Sequence, residues 1–91
     1  MVHAIVLIEA DPSALRTLGG ALAEVEGVAE AYSVTGEYDF ACIVRVRHTD
    51  EIAEVIQHQV AQLDGIRRTL TMLAFETYSR HDLEALFSIG S

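Results

Sequence analysis

Four consecutive residues, Gly36-Glu37-Tyr38-Asp39, hold the densest mix of groups in this chain that could bind a charged small molecule. Gly36 supplies the backbone freedom that a sharp reversal needs. Glu37 and Asp39 bring carboxylates and Tyr38 a phenol. Set at a sheet corner beside backbone N–H groups, such a turn can grip a small zwitterion. The same composition also makes an ordinary hairpin turn whose polar residues face water, and spacing alone leaves both readings open. Thr69 and Thr71 form a second group. Two apart on a strand, their hydroxyls share one face. If that strand passes the Gly36 turn of another subunit, the two sets complete one pocket; paired threonines are equally common in strands for their β propensity.

Other chemistry is sparse. His3, His48, His58 and His81 show no i, i+4 spacing and no cysteine cluster joins them, so no metal site is expected. Neither phosphate-binding glycine pattern, G-x-x-x-x-G-K or G-x-G-x-x-G, occurs. Ser, His and Asp fall into no recognisable nucleophile motif. No catalytic residue and no cofactor is assigned. Cys42, the single cysteine, cannot form an intrachain disulfide and reads as a small buried hydrophobe in an apolar strand.

The elements that must position these residues follow from length and pattern. A chain of 91 residues makes one domain with one modest core. It is 51% hydrophobic and carries a net charge of −8, with six arginines and no lysine. That balance excludes a large basic patch, so binding of duplex DNA by this domain is not expected. Arg45, Arg47, Arg67 and Arg68 are read as offsetting nearby carboxylates. No apolar run approaches the ~20 residues of a membrane span. The first residues lack the basic flank and apolar block of a signal peptide, and the expected compartment is the cytoplasm.

Val2 to Ile8 reads as a buried strand. Asp11-Pro12-Ser13 starts a helix, with Asp11 as cap and Pro12 at its first position. Leu15, Leu18, Leu22 and Val25 give that helix one apolar face, and Gly27 ends it. Val28 to Thr35 and Tyr38 to Val46 are strands joined by a tight turn at Gly36-Glu37. Thr49 and Asp50 open a second helix whose buried stripe is Ile52, Val55, Ile56, Val60 and Leu63, with Gly65 as its stop. A fourth strand lies within Ile66 to Tyr78, centred on Leu70 to Phe75. Residues 1–79 make the domain, and residues 80–91 a short amphipathic tail with Leu83, Leu86 and Phe87 on one side. The order βαββαβ, with two similar halves, implies an α+β ferredoxin-like fold: an antiparallel four-stranded sheet with helices on one face.

Two helices cover only one face, yet the strands are apolar on both. Ile5 and Leu7 alternate with Ala4, Val6 and Ile8, and Ala41 and Ile43 with Phe40, Cys42 and Val44. A monomer would leave one apolar face in water, which calls for a partner. The simplest is a second copy, sheet against sheet, by two-fold symmetry.

These residues resemble the effector-binding (RAM) domain of the Lrp/AsnC transcriptional regulators over nearly the whole chain. The likeness rests on the βαββαβ order, on Thr35-Gly36-Glu37-Tyr38-Asp39-Phe40 entering an apolar strand, on Asp64-Gly65-Ile66, and on Thr69-x-Thr71. It implies a dimeric α+β barrel type of assembly, often a ring of dimers, with an amino acid or related metabolite bound between dimers. Gly36, Glu37, Tyr38 and Asp39 would then hold the ligand's backbone groups, Asp39 the ammonium in particular, and Thr69 and Thr71 would come from a neighbouring dimer. Full-length members carry an N-terminal helix-turn-helix domain, whereas the first strand here starts at the first residues. The expectation is therefore a stand-alone, non-enzymatic sensing and oligomerisation module acting with full-length relatives or another partner. The rival is a cofactor-free monooxygenase or isomerase of the dimeric α+β barrel class, with Tyr32, Tyr38 and His3 as its proton handlers.

Overall fold

The strand β1 (Val2–Ala10) is apolar along almost its whole length because both its edges are paired and one face is fully covered. It lies inside a four-stranded antiparallel sheet of order β2-β3-β1-β4, where β2 is Val28–Ser33, β3 is Phe40–Val46 and β4 is Ile66–Leu73. This computed structural model describes residues 1–78 and Arg80. The expected tail residues Leu83, Leu86 and Phe87 lie outside the described residues. The element order is the ferredoxin-like βαββαβ read from the sequence.

Period-2 alternation assigns the faces. Ala4, Val6, Ile8 and Ala10 of β1 and Phe40, Cys42, Val44 and Val46 of β3 are buried under the helices. With Leu18, Leu22, Ile52, Val55, Ile56 and Val60 they make one core. Burial pushes the Cys42 thiol from its ordinary 9.0 up to about 11, so it stays protonated and inert at neutral pH.

The first helix is shorter than its pattern implies. Asp11 accepts from Ser13 N at 3.0 Å, as a cap should, but the turn it opens is a 3-10 turn over Pro12–Ala14. The α-helix α1 covers only Leu18–Ala23. Leu15 falls between the two and is exposed, which corrects its place on the buried face. Gly19 permits the tight seat of α1, since a Cβ there would lie 3.2 Å from the Phe40 ring, whereas Gly20 faces open space.

The second helix keeps its predicted stripe. Its α-helical turn α2 (Asp50–Ala53) continues through a π-helical stretch, Glu54–Gln59, into a 3-10 turn, Val60–Gln62. Its start is not capped by the Thr49 side chain; Glu51 instead reaches back to His48 N at 3.2 Å.

On the other face, strand pairing aligns Tyr32, Ala41, Leu7 and Leu70 in one row and Glu30, Ile43, Ile5 and Met72 in the next. Ile5, Tyr32, Leu70 and Met72 are 38%, 49%, 44% and 43% exposed. Polar side chains close this apolar field at both ends, Glu9 and Arg68 at one, His3 and Arg45 at the other. The two-sided apolar pattern of the strands thus leaves one sheet face uncovered within the chain.

Candidate functional site

The connection between β2 and β3 is a six-residue loop, Val34 to Asp39, and not the two-residue reversal that Gly36-Glu37 implied. The strands part early because Asp39 is drawn to β1. Its N–H donates to the Ile8 carbonyl at 2.8 Å, and its carboxylate Oδ2 accepts from Ala10 N at 2.8 Å. Val34 N then closes the loop on the Asp39 carbonyl at 3.0 Å. At the loop's apex Gly36 has φ +108°, a conformation that side chains rarely tolerate. A Cβ at Gly36 would meet no heavy atom within 4 Å. Glycine is therefore demanded by the backbone, and the space beside it is open to a ligand.

Asp39 has a structural duty first. With Oδ2 committed to Ala10, an ammonium group would have to be met at Oδ1. Asp39→Ala leaves the Ala10 N–H without its acceptor and is expected to lower unfolding free energy by about 1–3 kcal/mol. Asp39→Asn, which keeps an acceptor oxygen, should retain most of it. Urea unfolding checks this; a midpoint for Asp39→Ala equal to that of the native protein would remove the clamp from the account.

Tyr38 is half-buried beneath Arg68, whose guanidinium lies 5.3 Å from the ring centroid. Arg68 also reaches Glu9 at 3.4 Å. A register shift in the β1–β4 ladder after Glu9 lets its neighbour Arg67 turn to Asp11 at 3.2 Å. The Asp11 carboxyl is held below the usual range by the Ser13 N–H first, then by the Ser13 hydroxyl and by Arg67. Arg67 and Arg68 thus offset carboxylates at the loop end of the sheet, while Arg45 pairs with Glu30 at 3.4 Å towards the other end. Glu37 is exposed in the loop.

Thr69 and Thr71 share a face, the helix side of β4, since they stand opposite Ile8 and Val6. Phe40, Ile8 and Thr69 lie in one cross-strand row. Thr69 is therefore at the loop end of the sheet, about 10 Å across two strand spacings from the start of β3. Thr71 belongs elsewhere. With Leu73 it joins Thr49, Ile52, Ala53, Ile56 and Gln57 of the second helix around a cavity of ≈ 290 Å³. Within one subunit, then, the loop residues and Thr69 share one end of the sheet, and Thr71 lines a separate, uncharged groove. Ile56, expected only in the buried stripe, and Gln57, which the sequence does not single out, both line the groove; the pitch of the π-helical stretch, which no local motif announces, places them there.

The proton handlers of the enzyme reading do not meet. Tyr32 and His3 stand on the open face, and Tyr38 at the loop end of the sheet. Among the described residues no group of three His, Cys, Asp or Glu side chains could hold a metal ion.

Residues 3–83 match the family described as the Lrp/AsnC ligand binding domain. A helix-turn-helix-type transcriptional regulator of Pyrococcus furiosus is 31% identical over 77 residues, which are 81% of this chain and 51% of that one. The chain spans about half the length of the curated relatives it matches. A Thermus thermophilus protein of known crystal structure is 42% identical, with a TM-score of 0.82 over 88% of this chain and 100% of the other. The feast or famine regulatory protein of M. tuberculosis, solved with L-methionine, is 28% identical, with a TM-score of 0.74 over 88% of this chain and 54% of its own.

Proposed function

This chain belongs to the Lrp/AsnC ligand-binding-domain family, and from that premise we propose that it is an amino-acid-sensing, self-associating regulatory module without catalytic activity. The observation that carries the reading is the loop at Gly36: a backbone only glycine adopts readily, open space beside it, and the Asp39 carboxylate locked in place next to Tyr38. Fixed N–H dipoles of such a loop suit a ligand carboxylate. Thr69 and Thr71 of a neighbouring copy complete the site, and the methionine held by the M. tuberculosis relative indicates the ligand class. The uncovered sheet face packs on a second copy. It has the make-up of an interface, an apolar centre closed by polar ends. The charge of −8 argues against DNA reading by this domain itself, which acts through full-length relatives or another partner. Its compartment is the cytoplasm, in keeping with its regulator relatives; no helix among the described residues is long and apolar enough to cross a membrane.

Calorimetric titration with the twenty amino acids tests the proposal. Methionine and aliphatic amino acids are expected to bind. Gly36→Val, which strains the loop and fills the open space, should weaken them by at least roughly tenfold, about 1.4 kcal/mol. Urea midpoints run in parallel separate lost binding from lost folding. A native protein that takes up none of the twenty would end the sensing reading.

A further inference from the structure

Among the described residues Phe75 is 98% exposed, more than any other large apolar side chain. The segment that carries it is tied down twice. Ala74 N donates to the His3 carbonyl at 2.9 Å, which extends the β1–β4 register one pair beyond Ala4 and Leu73, and Thr77 Oγ1 lies 3.1 Å from His3 Nδ1. β4 is an edge of the sheet, so no strand of the chain lies beside Leu73 and Phe75 on the side away from β1. Bonding direction alternates along a strand: Ala74 bonds inward to His3, and the N–H and C=O groups of Leu73 and Phe75 therefore point outward. Sheets blunt such an edge with charges, proline or a bulge. The β2 edge carries Glu30 and a register shift after Val28. From Thr69 to Phe75 the β4 edge carries neither charge nor proline, and its register shift lies at the other end, beside Glu9.

We propose that this edge is a second self-association surface, independent of the open sheet face, on which β4 of another copy pairs antiparallel about a two-fold axis at Ala74. The spacing fits. Leu73 and Phe75 are two apart, so that axis sets Phe75 against the partner's Leu73 and Leu73 against the partner's Phe75. Leu73 is itself 45% exposed. Each such pair exchanges its two outward N–H···O=C bonds, and both aromatic rings leave water. Glu76 falls opposite the partner's Met72, so in a chain of net charge −8 no two carboxylates stand opposite each other in this register. An axis normal to the sheet keeps both open faces on one side, where each still takes its own sheet-to-sheet partner. Burying two phenylalanines, at about 150–250 Å² each, falls well short of the ~1,000 Å² of a stable interface. The edge contact therefore does not hold monomers together at micromolar concentration. It joins two sheet-face dimers into a tetramer, where two such contacts act at once. The tetramer rests on the sheet-face reading; the edge contact does not.

Sedimentation at concentrations well above those that form the sheet-face dimer, together with cross-linking, tests this. The native protein is expected to reach a tetramer. Phe75→Ser, which removes an almost wholly exposed side chain, should keep the native urea midpoint and weaken dimer–dimer association by at least roughly tenfold. Ala74→Cys should form an inter-chain disulfide on mild oxidation, because residues opposite each other in a non-hydrogen-bonded pair stand about 4.5 Å apart. Facing sheets stand about 10 Å apart, too far for that bridge to form through the open face. Cys42 is buried and stays out of the reaction. A native protein that is a dimer at micromolar concentration and grows no further, a Phe75→Ser protein that assembles as tightly, or an Ala74→Cys protein that does not cross-link would each overturn the edge contact. Ala74→Cys chains that cross-link although the native protein is a monomer at micromolar concentration would support it and remove the sheet-face reading instead.

Discussion

Gly65→Ala is expected to lower unfolding free energy by about 2–5 kcal/mol, a large share of the 5–15 kcal/mol that a domain typically holds. Gly65 ends the second helix at φ +93°, where an L side chain costs about 1–2 kcal/mol. The added Cβ would also lie 2.3 Å from the Ala14 Cβ, far inside contact distance. Overpacking of that kind costs about 1–3 kcal/mol. The backbone cannot swing away, because the Gly65 carbonyl accepts from Asp11 N at 2.7 Å and anchors the start of β4 to the end of β1. The melting temperature should fall by about 8–40 °C, at roughly 4–8 °C per kcal/mol for a domain of this size. Ala14→Gly in the same chain removes the clash and leaves the backbone strain, so it should restore part of the loss and not all. Gly20→Ala, with nothing near its Cβ, should instead match or exceed native stability. A Gly65→Ala protein melting with the native one would show that the second helix and the Pro12–Ala14 turn do not meet as described.

Ile5→Glu is expected to convert a dimer into folded monomers. Ile5 sits in the middle of the open face, between Ile43 of β3 and Met72 of β4. It is 38% exposed in the single chain, so the substitution spares the core. In a two-fold interface each change counts twice. Each lost side chain forfeits about 1.5–3 kcal/mol of burial, and each new carboxylate enters an apolar surface unpaired. Association should weaken by at least about a hundredfold, or 2.7 kcal/mol. Sedimentation at micromolar concentration reads this directly, with Ala61→Glu on the exposed helix side as the control that should leave the dimer intact. A native protein that sediments as a monomer, or an Ile5→Glu protein that still dimerises as tightly, would refute packing through this face.

Much of the fold is legible without coordinates. Strict alternation in Ala4–Ile8 and Phe40–Val46 divides the strands into two faces, and the stripe Ile52, Val55, Ile56, Val60 shows which side of the second helix is buried. Both follow from backbone periods of 2 and 3.6 residues, which are local properties. Even the uncovered apolar face can be counted, since two helices hide only one side of four strands. Gly36 is legible too, as a glycine among polar residues at a reversal.

Tertiary contacts decided the rest. Leu15 has helical spacing with Leu18 and Leu22, yet the 3-10 turn at Pro12–Ala14 rotates it into water. Nothing within the Gly36 loop announces that Asp39 will bond Ala10, 29 residues away, and so lengthen the loop to six residues. Thr69 and Thr71 read as one pair because they share a strand face, but the neighbours of that face differ along its length. Thr69 ends near the loop, and Thr71 lies against a π-helical stretch whose pitch no side-chain pattern encodes. Periodicity assigns a residue to a face because the chain repeats locally. What stands opposite that face depends on where distant segments are anchored, and those anchors are single hydrogen bonds and close contacts between residues far apart in the chain.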